Sequence, residues 1–340
     1  MTLEKLSYSL LNDKEQTTYR LLEDAVLNRR KDCDVSRIGW KTDIMHVLTS
    51  VLSDHPEIIY FNRTLLRTNA SLFSKRVTFT GIVSTRVEKE REKKLLEKLN
   101  DAVFEIDKNA RTDREIIQGI SEYLQRTVTY DLKELSSMSY WRGSKSPDSH
   151  NAYGALVNRL AVCDGFSSAF SLIANEFGFR NMLVEGKSNY NNTRNIDHAW
   201  NIVEYEGHFY HMDVTWDQSG FTMFKEYPYF YFGLTDDEIA IDHEWDFRTT
   251  PTCNEDTLSY YVHNKLIAYS EDQIDAIALR ELRLGKQCIR IKIATNIPVP
   301  NDGGEYIGNK VLKQEMKLGI SNRINFTWNE SSRCFIAVLV

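Results

Sequence analysis

Three residue types that together can run thiol chemistry occur in order along this chain: Cys163, His198 and Asp213. A cysteine attacks an amide carbonyl as its thiolate. A helix N-terminus and a neighbouring imidazolium are two environments that favour that form. Cys163 lies in Ala161-Val162-Cys163-Asp164-Gly165, just ahead of an apolar stripe of Phe166, Phe170, Ile173 and Phe177 that ends at Gly178. That pattern predicts a helix opening at the cysteine. Gly165 would let backbone approach the reacting centre, whereas the Asp164 charge opposes thiolate formation unless it points away. Taken singly, an intracellular cysteine of this kind reads as a small buried hydrophobe.

The histidine and the acid change that reading. The runs Asp197 to Tyr205 and His208 to Val214 flank Glu206-Gly207 and predict a β-hairpin with a two-residue turn. Its register pairs Tyr205 with His208 and, counting outward, Trp200 with Asp213 and His198 with Thr215. His198 and Asp213 then become diagonal neighbours on one face. A carboxylate there can bond one imidazole nitrogen and leave the other for the nucleophile. The structural alternatives are a partly buried strand histidine and a strand-end turn former.

The elements that must position these groups are legible in part. Asn12 with Glu15 resembles a capping box before Tyr19, Leu22 and Val26 at helical spacing, and a second helix is expected from Trp40, with Ile44, Val47, Leu48, Val51 and Leu52 apolar. Asp54-His55-Pro56 stops it before a β-prone run, Ile58 to Phe61. Arg76 to Ser84 alternates as a strand, and Glu88 to Lys98 reads as a solvated helix face. A further capping box at Thr112 and Glu115 opens a helix with Ile116, Ile117, Ile120, Tyr123 and Leu124 buried. A polar loop from about Lys133 to Asn151 leads to the cysteine, Met182 to Gly186 gives a strand, and Asn189 to Asn195 a loop. Beyond Pro251, Ser259 to Val262, Cys288 to Ala294 and Cys334 to Val340 are β-type runs, with a helix near Asp272 to Glu281. The divisions expected are a mostly helical region over 1–110, a catalytic core over 111–250 and a small α/β or β-rich appendage over 251–340.

Leu160 to Phe166, then Asp197-His198-Ala199-Trp200-Asn201, then Tyr210 to Asp217 resemble, in order and spacing, the three blocks of the transglutaminase-like superfamily. The resemblance is specific over about Asp113 to Trp216, with weaker likeness to bacterial members at Asp54-His55-Pro56-Glu57 and Tyr229 to Asp237. It implies an α+β, papain-like core in which the cysteine helix packs on an antiparallel sheet. It also implies Cys163 as nucleophile, His198 as base and Asp213 as the orienting acid. The implied reaction is acyl transfer from a protein or peptide amide, through a thioester, to a lysine amine or to water; no cofactor or metal is required. The Cys163 backbone N–H is one oxyanion donor candidate. Papain-like relatives supply a second from a glutamine before the cysteine, but none lies between Lys133 and Cys163, and animal transglutaminases use a tryptophan. Trp141 and Tyr153 are therefore candidates, while Trp200 and Trp216 are expected to pack around the triad and exclude water.

Competing readings are a peptidase or deamidase with the same triad, a catalytically silent interaction module, and a metal enzyme using His198, His211 and Asp213 from one hairpin face. The Tyr227 to Phe232 aromatic run reads as core or a domain interface before it reads as a substrate groove, and Asp236-Asp237-Glu238 as the acidic first turn of a helix after Thr235. A net charge of −6, with 48 acidic against 42 basic side chains, offers no general attraction for phosphate backbones or anionic lipid. Nucleic acid and membrane are thus not the expected partners. The start, Met1 to Leu6, mixes charge into its apolar residues, and five widely spaced cysteines contain no C-x-x-C pair, which together point to a soluble, cytoplasmic protein with reduced thiols. The natural substrate and the oligomeric state are not readable from the chain.

Overall fold

The computed structural model describes residues 4–35, 43–60, 67–70, 75–78, 85–137, 147–190, 193–320 and 323–340. The N-terminal elements are α1 (Leu6–Ser9), α2 (Asp13–Leu27), β1 (Asp32–Asp34), α3 (Ile44–Asp54), β2 (Arg67–Ala70) and β3 (Lys75–Thr78). The capping box at α2 forms as the sequence predicts, with the Asn12 side chain accepting from the Lys14 and Glu15 amides and Glu15 reaching back to the Asn12 N–H. Tyr19, Leu22 and Val26 of α2 share an apolar cluster with Val47, Leu48 and Val51 of α3. The helix expected from Trp40 is described from its Asp43 cap onward, and Trp40 lies outside the described residues. Ile58, Ile59 and Tyr60 are buried but form no strand: the Ile58 amide closes a turn on the His55 carbonyl, the Tyr60 hydroxyl donates to the Val26 carbonyl, and Phe61 lies outside the described residues.

The central elements are α4 (Thr85–Asn109), α5 (Asp113–Thr127), β4 (Thr129–Tyr130), α6 (Leu132–Ser137), β5 (Leu160–Ala161), α7 (Cys163–Glu176), β6 (Asn181–Tyr190), β7 (Thr193–Tyr205), β8 (His208–Met212), α8 (Val214–Phe224), β9 (Phe232–Leu234), α9 (Asp236–Ile239) and β10 (His243–Glu244). Strands β10-β6-β7-β8-β9 form one sheet whose neighbours all run antiparallel, and α7 packs across β6 and β7. This is the α+β arrangement expected, with the cysteine-bearing helix on an antiparallel sheet. The apolar face of α7 sets that packing: Phe166, Phe170 and Ile173 have no exposed surface, and Gly178 at φ 83° ends the helix. At the β7–β8 turn, Glu206 and Gly207 both take positive φ, and Tyr205 pairs with His208. The Asn189 to Asn195 segment, expected as a loop, instead carries the ends of β6 and β7, which pair as far as Tyr190 with Thr193. Along α4 most charges are solvated, but Glu88 is buried and bonded to Arg29. Thr112 caps α5, yet Glu115 bonds the Arg111 amide rather than closing a box on Thr112.

The remaining elements are α10 (Tyr260–His263), β11 (Ile267–Ala268), α11 (Glu271–Arg283), β12 (Cys288–Ile293), α12 (Gly303–Lys317), β13 (Ile324–Asn329) and β14 (Cys334–Leu339), with sheet order β11-β12-β14-β13. The run expected as a strand at Ser259 to Val262 is the turn of helix α10, closed by the His263 amide on the Ser259 carbonyl. The Tyr227 to Phe232 run is core at the junction with this sheet. Tyr229 stacks on Tyr260 at 3.8 Å, and the Arg290 guanidinium of β12 lies over both rings. A single apolar cluster runs from Leu95 and Leu99 of α4 through Phe170, Tyr210 and Phe232 to Ile289 and Phe335. Among the described residues no helix is long and apolar enough to cross a membrane.

Candidate active site

Cys163 is delivered by the short parallel pair β4–β5, which hands the chain to α7 with Val162 as its cap. The Val162 amide bonds the Ser149 carbonyl at 2.9 Å, and that same carbonyl lies 2.4 Å from where a Cβ on Gly165 would stand. Glycine at 165 is therefore required by close backbone approach. The sulfur lies where the Ala199 and Asp164 amides donate toward it, which sets it against β7 one residue from His198. The Asp164 carboxylate does not point away: its Oδ1 is 3.7 Å from Sγ. Burial first, and then Asp164, push the Cys163 thiol well above its ordinary value, and the Ala199 amide only partly opposes them. The helix N-terminus does not by itself make a resting thiolate here.

His198 projects from β7 opposite Gly186 of β6. A Cβ at Gly186 would meet the Glu244 carbonyl at 2.4 Å and the Trp200 ring at 2.7 Å, so the bare Cα lets β10 and the indole close over the sheet. The ladder of β8 stops at Met212, one residue short of the predicted pairing of Trp200 with Asp213. Asp213 instead leaves the sheet and caps α8, accepting the Trp216 amide on Oδ1 at 3.1 Å. The capping geometry still turns its other oxygen inward, and Oδ2 lies 2.7 Å from His198 Nε2 with both side chains buried. Burial alone would raise the Asp213 carboxyl, yet His198 and then His243 hold it well below the usual carboxylate range. An ionised Asp213 only accepts, so His198 donates through Nε2–H and its Nδ1 is the nitrogen left for proton transfer.

Residues 100–214 match the family model of the transglutaminase-like superfamily. Over that segment the protein has a transglutaminase-like domain. Solved structures similar to it include a transglutaminase (14% identity, TM-score 0.33, 44% of this chain and 43% of that one) and a candidate cysteine protease of Cytophaga hutchinsonii (12% identity, TM-score 0.27, 44% and 61%). A candidate protease of Parabacteroides distasonis is also similar (9% identity, TM-score 0.27, 43% and 35%). The chain therefore spans less than two thirds of each of these chains. Comparison with curated proteins gives no match.

The other candidates fall in different places. Trp200 and Trp216 both pack on the His198 ring, at centroid distances of 6.0 and 5.5 Å. Tyr153 is buried with the Arg91 guanidinium over its ring, and Trp141 lies outside the described residues. His211 does not join His198 and Asp213. The Trp200 indole, a donor only, gives its N–H to His211 Nδ1 at 3.0 Å, which obliges Nε2 to carry the proton donated to Asp236 at 2.9 Å. His211, Asp236 and Cys253 offer atoms within 4.8 Å of one another, but a metal on Nε2 would have to displace a proton that Trp200 fixes there.

Sequence reasoning did not find His243, Asp242 or His150. His243 is fully buried, with Nε2 at 3.1 Å from Asp213 Oδ2 and Nδ1 at 2.6 Å from Asp242 Oδ1. Its strand is two residues long, so no periodicity marks it. His150 lies between Asp164, at 2.9 Å, and Glu134, at 3.3 Å; burial opposes charging it, but the two carboxylates raise it. Charge on His150, which the two carboxylates favour, would offset part of the Asp164 charge beside the nucleophile. The only signal for it in the sequence was the length of the polar loop ahead of the cysteine.

Proposed function

We propose that the chain catalyses thiol-dependent acyl transfer on protein or peptide amides, with Cys163 as nucleophile, His198 as base and Asp213 as the group that orients His198. The observation that carries this reading is the buried 2.7 Å bond from His198 Nε2 to Asp213, on the strand whose next amide faces the Cys163 sulfur. Because burial and Asp164 hold the thiol protonated, His198 acts during attack rather than through a standing ion pair. The thiol proton passes to His198 Nδ1 as sulfur bonds the amide carbon and the carbonyl electron pair moves onto oxygen. Collapse breaks the C–N bond, and the departing nitrogen takes the proton from His198, leaving as ammonia from a glutamine side chain or as an amine from a peptide. A lysine amine or water then attacks the thioester, gives up its proton through His198, and releases Cys163 as the thiol. Trp200 and Trp216 line the imidazole and keep its surroundings dry. Water as acceptor makes the same centre a deamidase or peptidase.

Alkylation by iodoacetamide across pH, read by peptide mapping, tests the centre. Cys163 is expected to be modified well ahead of the buried Cys33, Cys253, Cys288 and Cys334, with an inflection above the free-thiol value of about 8.5. The His198→Ala variant is expected to lose about 100-fold or more in ammonia release from glutamine peptides, with or without a primary amine. Modification of Cys163 no faster than the other four thiols, or full turnover in His198→Ala, sinks the proposal.

A further inference from the structure

Asp213 Oδ2 receives two imidazoles, His198 at 2.7 Å and His243 at 3.1 Å, and His243 hands on a second bond, Nδ1 to Asp242 Oδ1 at 2.6 Å. The Tyr231 hydroxyl donates to Asp242 Oδ2 at 2.7 Å and receives the Asn329 amide at 3.3 Å, so the chain of bonds ends on β13. None of His243, Asp242, Tyr231 and Asn329 falls within the segment 100–214 that matches the superfamily. His243 sits among Trp216, Trp200 and Tyr231, at centroid distances of 4.5, 4.9 and 5.7 Å, and 5.3 Å from the His198 ring. With an acceptor oxygen on each ring nitrogen and aromatic faces around it, the site suits an imidazolium.

We propose that His243 is a positioning residue of the catalytic centre: a buried imidazolium that fixes Asp213 jointly with His198 and ties the acid, through Asp242 and Tyr231, to Asn329 of the C-terminal sheet. It rests on the assignment of His198 and Asp213 as base and orienting acid. Two N–H groups converging on one oxygen leave Asp213 little freedom to rotate. The fixed positive charge also favours the negative charge that develops at the Cys163 sulfur during attack. The groups facing His243 are Asp213 at the head of α8, Asp242 beside it, Tyr231 ahead of β9, His198 on β7 and His211 on β8. The two carboxylates favour the charged ring, and the two histidines oppose it. Burial also opposes it, yet the net direction for His243 is upward.

Two measurements test this on the full chain. In protein carrying 15N-histidine, with His243 assigned by the His243→Gln spectrum, both of its ring nitrogens are expected to be protonated at about pH 7.5. A ring with one bare nitrogen overturns the proposal, because the proton would then belong to Asp242. Alkylation of Cys163 by iodoacetamide across pH gives the second, since its rate rises as the thiolate forms. In His243→Gln the inflection of that rise is expected to move up by about one pH unit, as a positive charge packed 5.3 Å from the His198 ring is lost from the centre. Tyr231→Phe, which keeps the ring and strips one donor from Asp242, moves it the same way by less. Folded variants with an unmoved inflection overturn the proposal whatever their melting temperature. A wild type that shows no selective reaction at Cys163 sinks the thiol mechanism instead, and the nitrogen spectrum then decides His243 by itself.

Discussion

His198 and His211 stand on the same face of one hairpin, with Trp200 between them, and each bonds a carboxylate at the start of a following helix, Asp213 of α8 and Asp236 of α9. Their histidine–carboxylate distances, 2.7 and 2.9 Å, are nearly equal. What separates them is the second ring nitrogen. His211 spends it on the Trp200 indole and is a closed structural unit. The second nitrogen of His198 takes no hydrogen bond among the described residues: its ring packs against the rings of Trp200, Trp216 and His243, and the Cys163 sulfur lies against the adjoining amide. A histidine–acid pair becomes chemistry when its neighbours withhold a partner from one nitrogen.

Substitution should break this symmetry most visibly at the histidines. His198→Ala is expected to cut turnover by about 100-fold or more, while His211→Phe keeps it within about threefold. Rates of ammonia release from glutamine peptides by the two variants, measured side by side, decide it. The acids sharpen the contrast through stability. Asp213→Ala takes one of its two carboxylates from a positive, buried His243, together with the His198 bond and the cap on the Trp216 amide, and is expected to cost about 3–5 kcal/mol. Asp236→Ala removes the bond to a neutral ring and the one accepted from the Cys253 amide, at a partly exposed site, and should cost about 1–3 kcal/mol. Urea unfolding at neutral pH checks both, and equal losses would mean that His243 carries no charge.

Much of the hairpin comparison was legible in the sequence. The expected two-residue turn at Glu206-Gly207 gave the register, and that register with the resemblance of the three blocks singled out Cys163, His198 and Asp213 as candidates. The exit of Asp213 from the ladder was not legible, because a capping acid and a strand-end acid look alike until the next helix is known. Nor was α12, where Gly303 and Gly304 weaken the helical signal; the rings of Trp328 and Phe326 occupy the space their side chains would need, so packing overrides propensity there. His243 escaped for a different reason. Its partners come from three separate elements, and no local period encodes such a meeting.

Gly186 and Asp164 give smaller effects on the two sides of the centre. Gly186→Ala forces a methyl onto the Glu244 carbonyl and the Trp200 ring, so β10 must shift; about 1–3 kcal/mol of stability is expected to go, together with the His243 bond to Asp213. The His243 ring-nitrogen spectrum reads that movement directly, and an unchanged spectrum would rule it out. Asp164→Asn removes the carboxylate 3.7 Å from the sulfur and is expected to speed iodoacetamide alkylation of Cys163 about fivefold at neutral pH. A slower reaction would mean that Asp164 helps the thiolate rather than opposing it.

The subtlest contrast lies in how the two closed histidines bend stability with pH. Burial lowers His211 below its ordinary 6.5, so as pH falls past that value the unfolded chain takes up a proton the folded chain refuses, and the contribution of His211 is lost toward acid. For His243 burial also disfavours the charge, but Asp213 and Asp242 win and raise it; its contribution is complete below 6.5 and is lost as pH climbs through the higher folded value. His150 and His55 are raised as well and add to the alkaline loss, but equally in the parent and in both variants, so differences cancel them. Unfolding followed from about pH 5 to about pH 9 should therefore find His211→Gln flatter than the parent on the acid side and His243→Gln flatter on the alkaline side. Changes on the same side for both would mean that the two rings share one protonation state, and the distinction drawn from their partners would fall.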